Sequence, residues 1–128
     1  GTIATSRGCP NNCSFCYKAI TGRSFRPRSV ANVLEEWRLL KEKHRVAEIA
    51  ICDDAFTARP QRVIDLCQRI VSEGLVLPWS CPNGIRAHPM PQEMLFAMRE
   101  AGCYRTAIGV ESSAAAVAVR ASSSVRVI

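Results

Sequence analysis

The chain has 128 residues, 48% of them apolar and 22% charged, with a formal net charge of +6. That is enough for one modest core at an ordinary charge density, and no apolar run is long enough to span a bilayer. The first residues lack a charged segment followed by an apolar one, so no secretory leader is expected and the expected compartment is the cytoplasm.

In chain order, Ile3–Thr5 reads as a short first strand. A cysteine-rich loop and a basic stretch follow it. Ser29 is placed to cap a helix on which Val33, Leu34, Trp37 and Leu40 recur at helical spacing, running to about His44. Glu48–Cys52 reads as a buried strand. Pro60 suits the first turn of a second helix that faces inward through Val63, Ile64, Cys67, Ile70 and Val71, with Gly74 as its stop. Trp79–Cys81 is a third strand. Pro91 opens a third helix, with Met94, Leu95 and Met98 expected inside and Gly102 ending it. Arg105–Val110 is the fourth strand.

Strands alternating with helices predict an α/β fold with parallel strands and right-handed crossovers. Four strands and three or four helices are about half of an eight-fold barrel, which typically needs ~250 residues. The expectation is therefore a partial (β/α) barrel over residues 1–111, part of a longer chain. Residues 112–128, rich in Ser, Ala and Val, form a tail of simple composition that reads as a fourth helix or a truncated end.

The charge is local. Residues 1–45 hold nine Lys/Arg against three Glu, while residues 46–128 balance eight against eight. Lys18, Arg23, Arg26 and Arg28 follow the cysteines with no acid among them. They form either a solvated basic loop or a surface for an anionic cofactor, substrate or nucleic acid.

Three of the seven cysteines, Cys9, Cys13 and Cys16, crowd into eight residues spaced C-x3-C-x2-C. Crowded thiols in a reducing compartment point to metal or redox chemistry. Thiolates are the ligands of iron–sulfur clusters, and three of them on a four-iron cluster leave one iron open. Structural zinc wants four ligands, with Cys81 or Cys103 as the available fourth. A thioredoxin-type pair needs only Cys13 and Cys16 and leaves Cys9 without a purpose. Cys52, Cys67 and Cys103 occupy apolar positions and are expected to be buried and inert. His44 and His88 are isolated and are not expected to be ligands.

The run TSRGCPNNCSFCYK, with Phe15 just before the last cysteine, resembles the motif of the radical S-adenosylmethionine (SAM) superfamily. GRSFRPRS, ANVLEEW, EIAICDDAFT and AGCYRTAIGVES extend the resemblance over roughly residues 2–112, toward the branch that often carries an upstream cobalamin-binding domain. The resemblance implies that Cys9, Cys13 and Cys16 bind a [4Fe-4S] cluster whose open iron takes the amino and carboxylate groups of SAM. It implies further cofactor contacts. Phe15 or Tyr17 packs near the adenine, and the other joins the core. Asp53 and Asp54 lie where the second-strand motif meets the SAM amino group. Glu111 lies where the ribose is contacted, and Arg86 is placed to pair with the SAM carboxylate. No catalytic residue beyond the cluster ligands is assigned. The position of these groups, each after a predicted strand, puts them at the C-terminal ends of the strands, where such folds place their sites.

The expected function is reductive SAM cleavage and radical chemistry on a small-molecule or lipid-like substrate: methylation, cyclisation or rearrangement. An electron donor such as flavodoxin or ferredoxin would serve it, and cobalamin would come from a domain absent from this chain. Two alternatives stand beside it. One is a methylthiotransferase-like modifier of tRNA, suggested by the basic stretch. The other is a non-catalytic iron–sulfur or zinc-binding fragment, since half a barrel does not enclose a radical.

Overall fold

A computed structural model describes residues 1–109 apart from Ser14, Lys18, Ile20, Thr21, His88 and Pro89. His88, Glu111 and the tail 112–128 lie outside the described residues.

The strands are β1 (Thr2–Ile3), β2 (Ser6–Arg7), β3 (Arg26–Pro27), β4 (Ile49–Ile51), β5 (Trp79–Ile85) and β6 (Cys103–Ile108). The helices are α1 (Val30–Arg38), α2 (Pro60–Ser72) and α3 (Gln92–Glu100). Strands β1, β4, β5 and β6 form one parallel sheet in that order, with Thr2 opposite Ala50, Ile49 opposite Trp79, and Trp79 opposite Cys103. This is the parallel α/β architecture expected from the alternation of elements. Strands β2 and β3 form a separate antiparallel pair, Ser6 opposite Pro27 and Arg7 opposite Arg26. That pair ties the base of the cysteine loop.

The helix signals act as read. The Ser29 hydroxyl accepts from the Asn32 N–H at 3.2 Å, and α1 continues as a wider π-helical turn over Leu39–Lys43 to His44. Pro60 starts α2 at a position whose N–H has no helical partner to lose. Gly102 follows α3 with φ +99°, and a Cβ there would stand 2.5 Å from the Leu77 carbonyl oxygen. Only glycine meets both conditions.

The core is stapled by aromatic residues. Trp79 stands edge-on to Trp37 (ring centroids 6.1 Å apart) and to Phe56 (5.8 Å). Both indole N–H groups are satisfied, Trp37 by the Leu75 carbonyl at 3.1 Å and Trp79 by the Ala101 carbonyl at 3.0 Å. Around them pack Ile3, Ile49, Ile51, Val63, Leu66, Cys67, Ile70, Met94 and Met98.

Several expectations are corrected. The first strand is Thr2–Ile3 and stops before Thr5, because Thr5 turns its N–H and hydroxyl to the Asp53 carboxylate. The third strand runs on from Cys81 to Ile85 through a register irregularity, and the fourth begins at Cys103 rather than Arg105. Val71 and Leu95 are exposed; Leu66 and Ala97 are buried in their helices instead. Both misreadings lie at the margin of a helical stripe, where periodicity places a residue only to within one position. Cys52 is exposed rather than buried, since it lies just past the end of β4.

Candidate functional site

Two neighbouring acids at the end of β4 take opposite paths. Asp53 is buried. Its carboxylate accepts from the Thr5 N–H at 2.6 Å, the Thr5 hydroxyl at 2.5 Å and the Ser6 hydroxyl at 2.6 Å. Arg62 of α2 completes this joint by donating to the Thr5 carbonyl at 2.8 Å and the Arg28 carbonyl at 3.1 Å. Burial lowers the Arg62 pKa, while the nearby Asp53 charge works the other way. The joint fixes the chain immediately before the cysteine loop. Asp54 is exposed and accepts from the Gly8 N–H at 3.2 Å, which ties the loop's first turn to β4.

Beyond the joint lies an open cavity of about 270 Å³. Cys9, Asn11, Cys13, Phe15 and Cys16 line it from the loop, Asp54 and Ala55 from the end of β4, Asn83–Arg86 from the end of β5, and Gly109 from beyond β6. Every contribution comes from the C-terminal side of the sheet, the place where parallel α/β sheets present their sites. A bulge in β5 shapes one wall, with the register shifting between Cys81 and Ile85. Gly84 sits there with φ +90°, and a Cβ would approach the Ala107 carbonyl oxygen to 3.3 Å.

Cys9, Cys13 and Cys16 are free thiols facing this one cavity. Among the described residues no three His, Cys, Asp or Glu side chains converge tightly enough to hold a single metal ion. A structural zinc site would need a fourth ligand beside these three cysteines. The fourth zinc ligands considered from the sequence are elsewhere. Cys81 is buried outside the cavity lining, and its thiol is pushed far up by burial. Cys103 starts β6 at the opposite end of the strand and points its thiol at the Arg105 carbonyl, 3.8 Å away.

The remaining sequence candidates divide. Asp54, Arg86 and Phe15 line the cavity; the Asp53 side chain does not. Phe15 and Tyr17 are both exposed, so neither belongs to the core, and only Phe15 faces the cavity. The basic stretch is partly structural. Arg28 pairs with Glu36 at 2.5 Å and also donates to Asn32 and to the Ala4 carbonyl. Sequence reading passed over Thr5, Ser6, Arg62, Asn11 and Asn83–Gly84. Only the last had a local signal, an Asn-Gly turn directly after a predicted strand.

The family model described as "Radical SAM superfamily" matches residues 3–123. The chain belongs to the radical SAM superfamily. An uncharacterised methyltransferase of Pyrococcus horikoshii is 38% identical to this radical SAM chain over 88% of its length and 24% of the relative's. The cytidylyl-2-hydroxyethylphosphonate methyltransferase of Streptomyces wedmorensis is 34% identical over 88% of the chain and 21% of the relative. The chain thus spans about a quarter of the length of these curated relatives. The fold matches the radical SAM methyltransferase TsrM of Kitasatospora setae, solved with cobalamin and a [4Fe-4S] cluster bound. The TM-score is 0.76 at 22% identity, over 85% of this chain and 22% of that one. The partial barrel expected from the sequence is thus the radical SAM fold.

Proposed function

We propose that this chain is the N-terminal part, over residues 1–111, of a radical SAM core that holds a [4Fe-4S] cluster through Cys9, Cys13 and Cys16 and binds SAM beside it, within an enzyme of the cobalamin-associated, methyl-transferring branch. The observation that carries the reading is the single cavity shared by three free thiols, Asp54 and Arg86 at the C-terminal ends of the strands. When bound, the cluster would supply one electron for cleavage of SAM and thereby radical chemistry.

The chain's own residues hold and orient. Asp54 is the carboxylate available to an ammonium group, because the Asp53 side chain is committed to Thr5 and Ser6. Arg86 offers a guanidinium on the facing wall to a carboxylate. Phe15 offers a ring face to a base. Glu111, outside the described residues, is the residue assigned to the ribose. Gly84, with its positive φ, lets the bulged β5 wall pass close to Ala107 of β6. The partners that follow are a small-molecule or lipid-like substrate and a flavodoxin or ferredoxin as electron donor, in the cytoplasm. No described helix is long and apolar enough to cross a membrane. The nucleic-acid reading is weakened because Arg28, one of its four cations, is engaged within the fold.

The test is anaerobic reconstitution with iron and sulfide, followed by electron paramagnetic resonance of the reduced protein with and without SAM. The expected result is a cluster signal that SAM alters. A colourless protein holding one zinc ion refutes the reading. A cluster blind to SAM reduces the chain to a metal-binding module.

A further inference from the structure

Asn11 lies inside the cysteine loop and has a partner on each side. Its amide nitrogen donates to Cys9 Sγ at 3.2 Å. Its amide oxygen accepts from Arg86 Nη1, which reaches across the cavity from the end of β5. The orientation of the amide is not arbitrary. A guanidinium has donors only, so the oxygen must face Arg86. The NH2 group is then left for the sulfur. Residues 75 positions apart in sequence are joined into one line: Arg86, Asn11, Cys9.

A hydrogen bond to a sulfur ligand stabilises the more electron-rich state of an iron–sulfur cluster, which raises its reduction potential. A thiolate accepts more strongly than a thiol, so this bond strengthens when Cys9 is a ligand. We propose that Asn11 tunes the potential of the cluster through Cys9, and that Arg86 acts as a positioning residue that holds the Asn11 amide toward the sulfur. The proposal rests on the cluster reading above and adds to it a residue that sets how hard the cluster is to reduce. It also links the wall facing SAM to a cluster ligand, so a ligand that draws Arg86 away from Asn11 weakens the bond to Cys9.

The test is a redox titration of the reconstituted 128-residue chain, monitored by electron paramagnetic resonance. Asn11→Ala is expected to take up the cluster and to titrate at a lower midpoint than wild type. Asn11→Asp has the same shape but an acceptor and a negative charge near the sulfur, and it titrates lower still. Arg86→Ala also lowers the midpoint, and by less in the Asn11→Ala background than in wild type, because part of its effect passes through the amide. A wild-type chain without a cluster overturns the cluster reading and the proposal with it. A wild-type chain that loads, beside an Asn11→Ala chain with an unchanged midpoint, overturns the tuning role alone. If the alanine variant does not load, Asn11→Asp decides: a midpoint at or above wild type refutes tuning. Arg86→Ala shifts of equal size in both backgrounds refute the positioning role and leave only a direct charge effect.

Discussion

The cysteines of the cavity and those of the sheet centre are the same residue in opposite surroundings. Cys9, Cys13 and Cys16 stand on a loop, half-buried or exposed, with their thiols toward open space. Cys67 and Cys81 are buried among Trp79, Ile70 and their neighbours, and burial pushes both thiols up. A thiol becomes a ligand only as thiolate, so the core position disfavours the chemistry that the loop position permits. The lesson is that chemistry here follows location at the strand ends rather than residue type.

The largest effect expected from this contrast is all-or-none. Cys9→Ala, Cys13→Ala and Cys16→Ala each lose the cluster, read as loss of bound iron and of visible absorption after reconstitution. Cys67→Ala keeps both, at a cost of about 1 kcal/mol in folding stability. Retention of the cluster by any of the three loop variants breaks the division between the two groups.

The adjacent acids repeat the contrast and give the next largest effect. Asp53→Ala strands three donors from Thr5 and Ser6, two of them buried hydroxyls, and leaves Arg62 without its carboxylate neighbour. An unsatisfied buried polar group costs about 1–3 kcal/mol, and partial rearrangement limits the sum to about 3 kcal/mol. Asp54→Ala, at an exposed site, costs under about 1 kcal/mol and instead diminishes the change that SAM makes to the cluster signal. Urea denaturation and the resonance titration read the two separately. Equal destabilisation by both substitutions defeats the assignment of one acid to the fold and the other to the site.

These pairs also mark how far the sequence could be read. The helices were legible because their ends carry chemistry: Ser29 as a cap, Pro60 in a first turn, Gly102 beyond the last. The cysteine loop was legible because its three cysteines lie within eight residues. The two aspartates were not separable, because each ends the same strand and the partners that claim Asp53 lie 47 and 48 positions away. Asn11 was hidden for the same reason, its second partner being Arg86 on another strand. Leu95 and Val71 were misplaced because an apolar residue at the edge of a stripe has no sequence mark for which side it takes.

The smallest effect tests the buried side of the contrast through pH. Burial, with a lesser contribution from Cys103, raises the Cys67 thiol from an ordinary value near 9 to about 12. The folded chain therefore holds this proton more tightly than the unfolded chain does. Below pH 9 both states keep it and stability does not depend on it. Above pH 9 the unfolded chain releases it first, so stability falls as pH rises, by roughly 1.4 kcal/mol per pH unit at most, until the folded thiol also ionises. Cys67→Ala removes that contribution while Cys81 keeps its own. Between pH 8 and pH 10 the wild type should then lose on the order of 1 kcal/mol more than Cys67→Ala, measured as the difference in urea unfolding free energies. Equal losses in the two proteins would mean that Cys67 ionises alike in both states. The core would then admit water beside Trp79, and the separation between inert and reactive cysteines would rest on the loop alone.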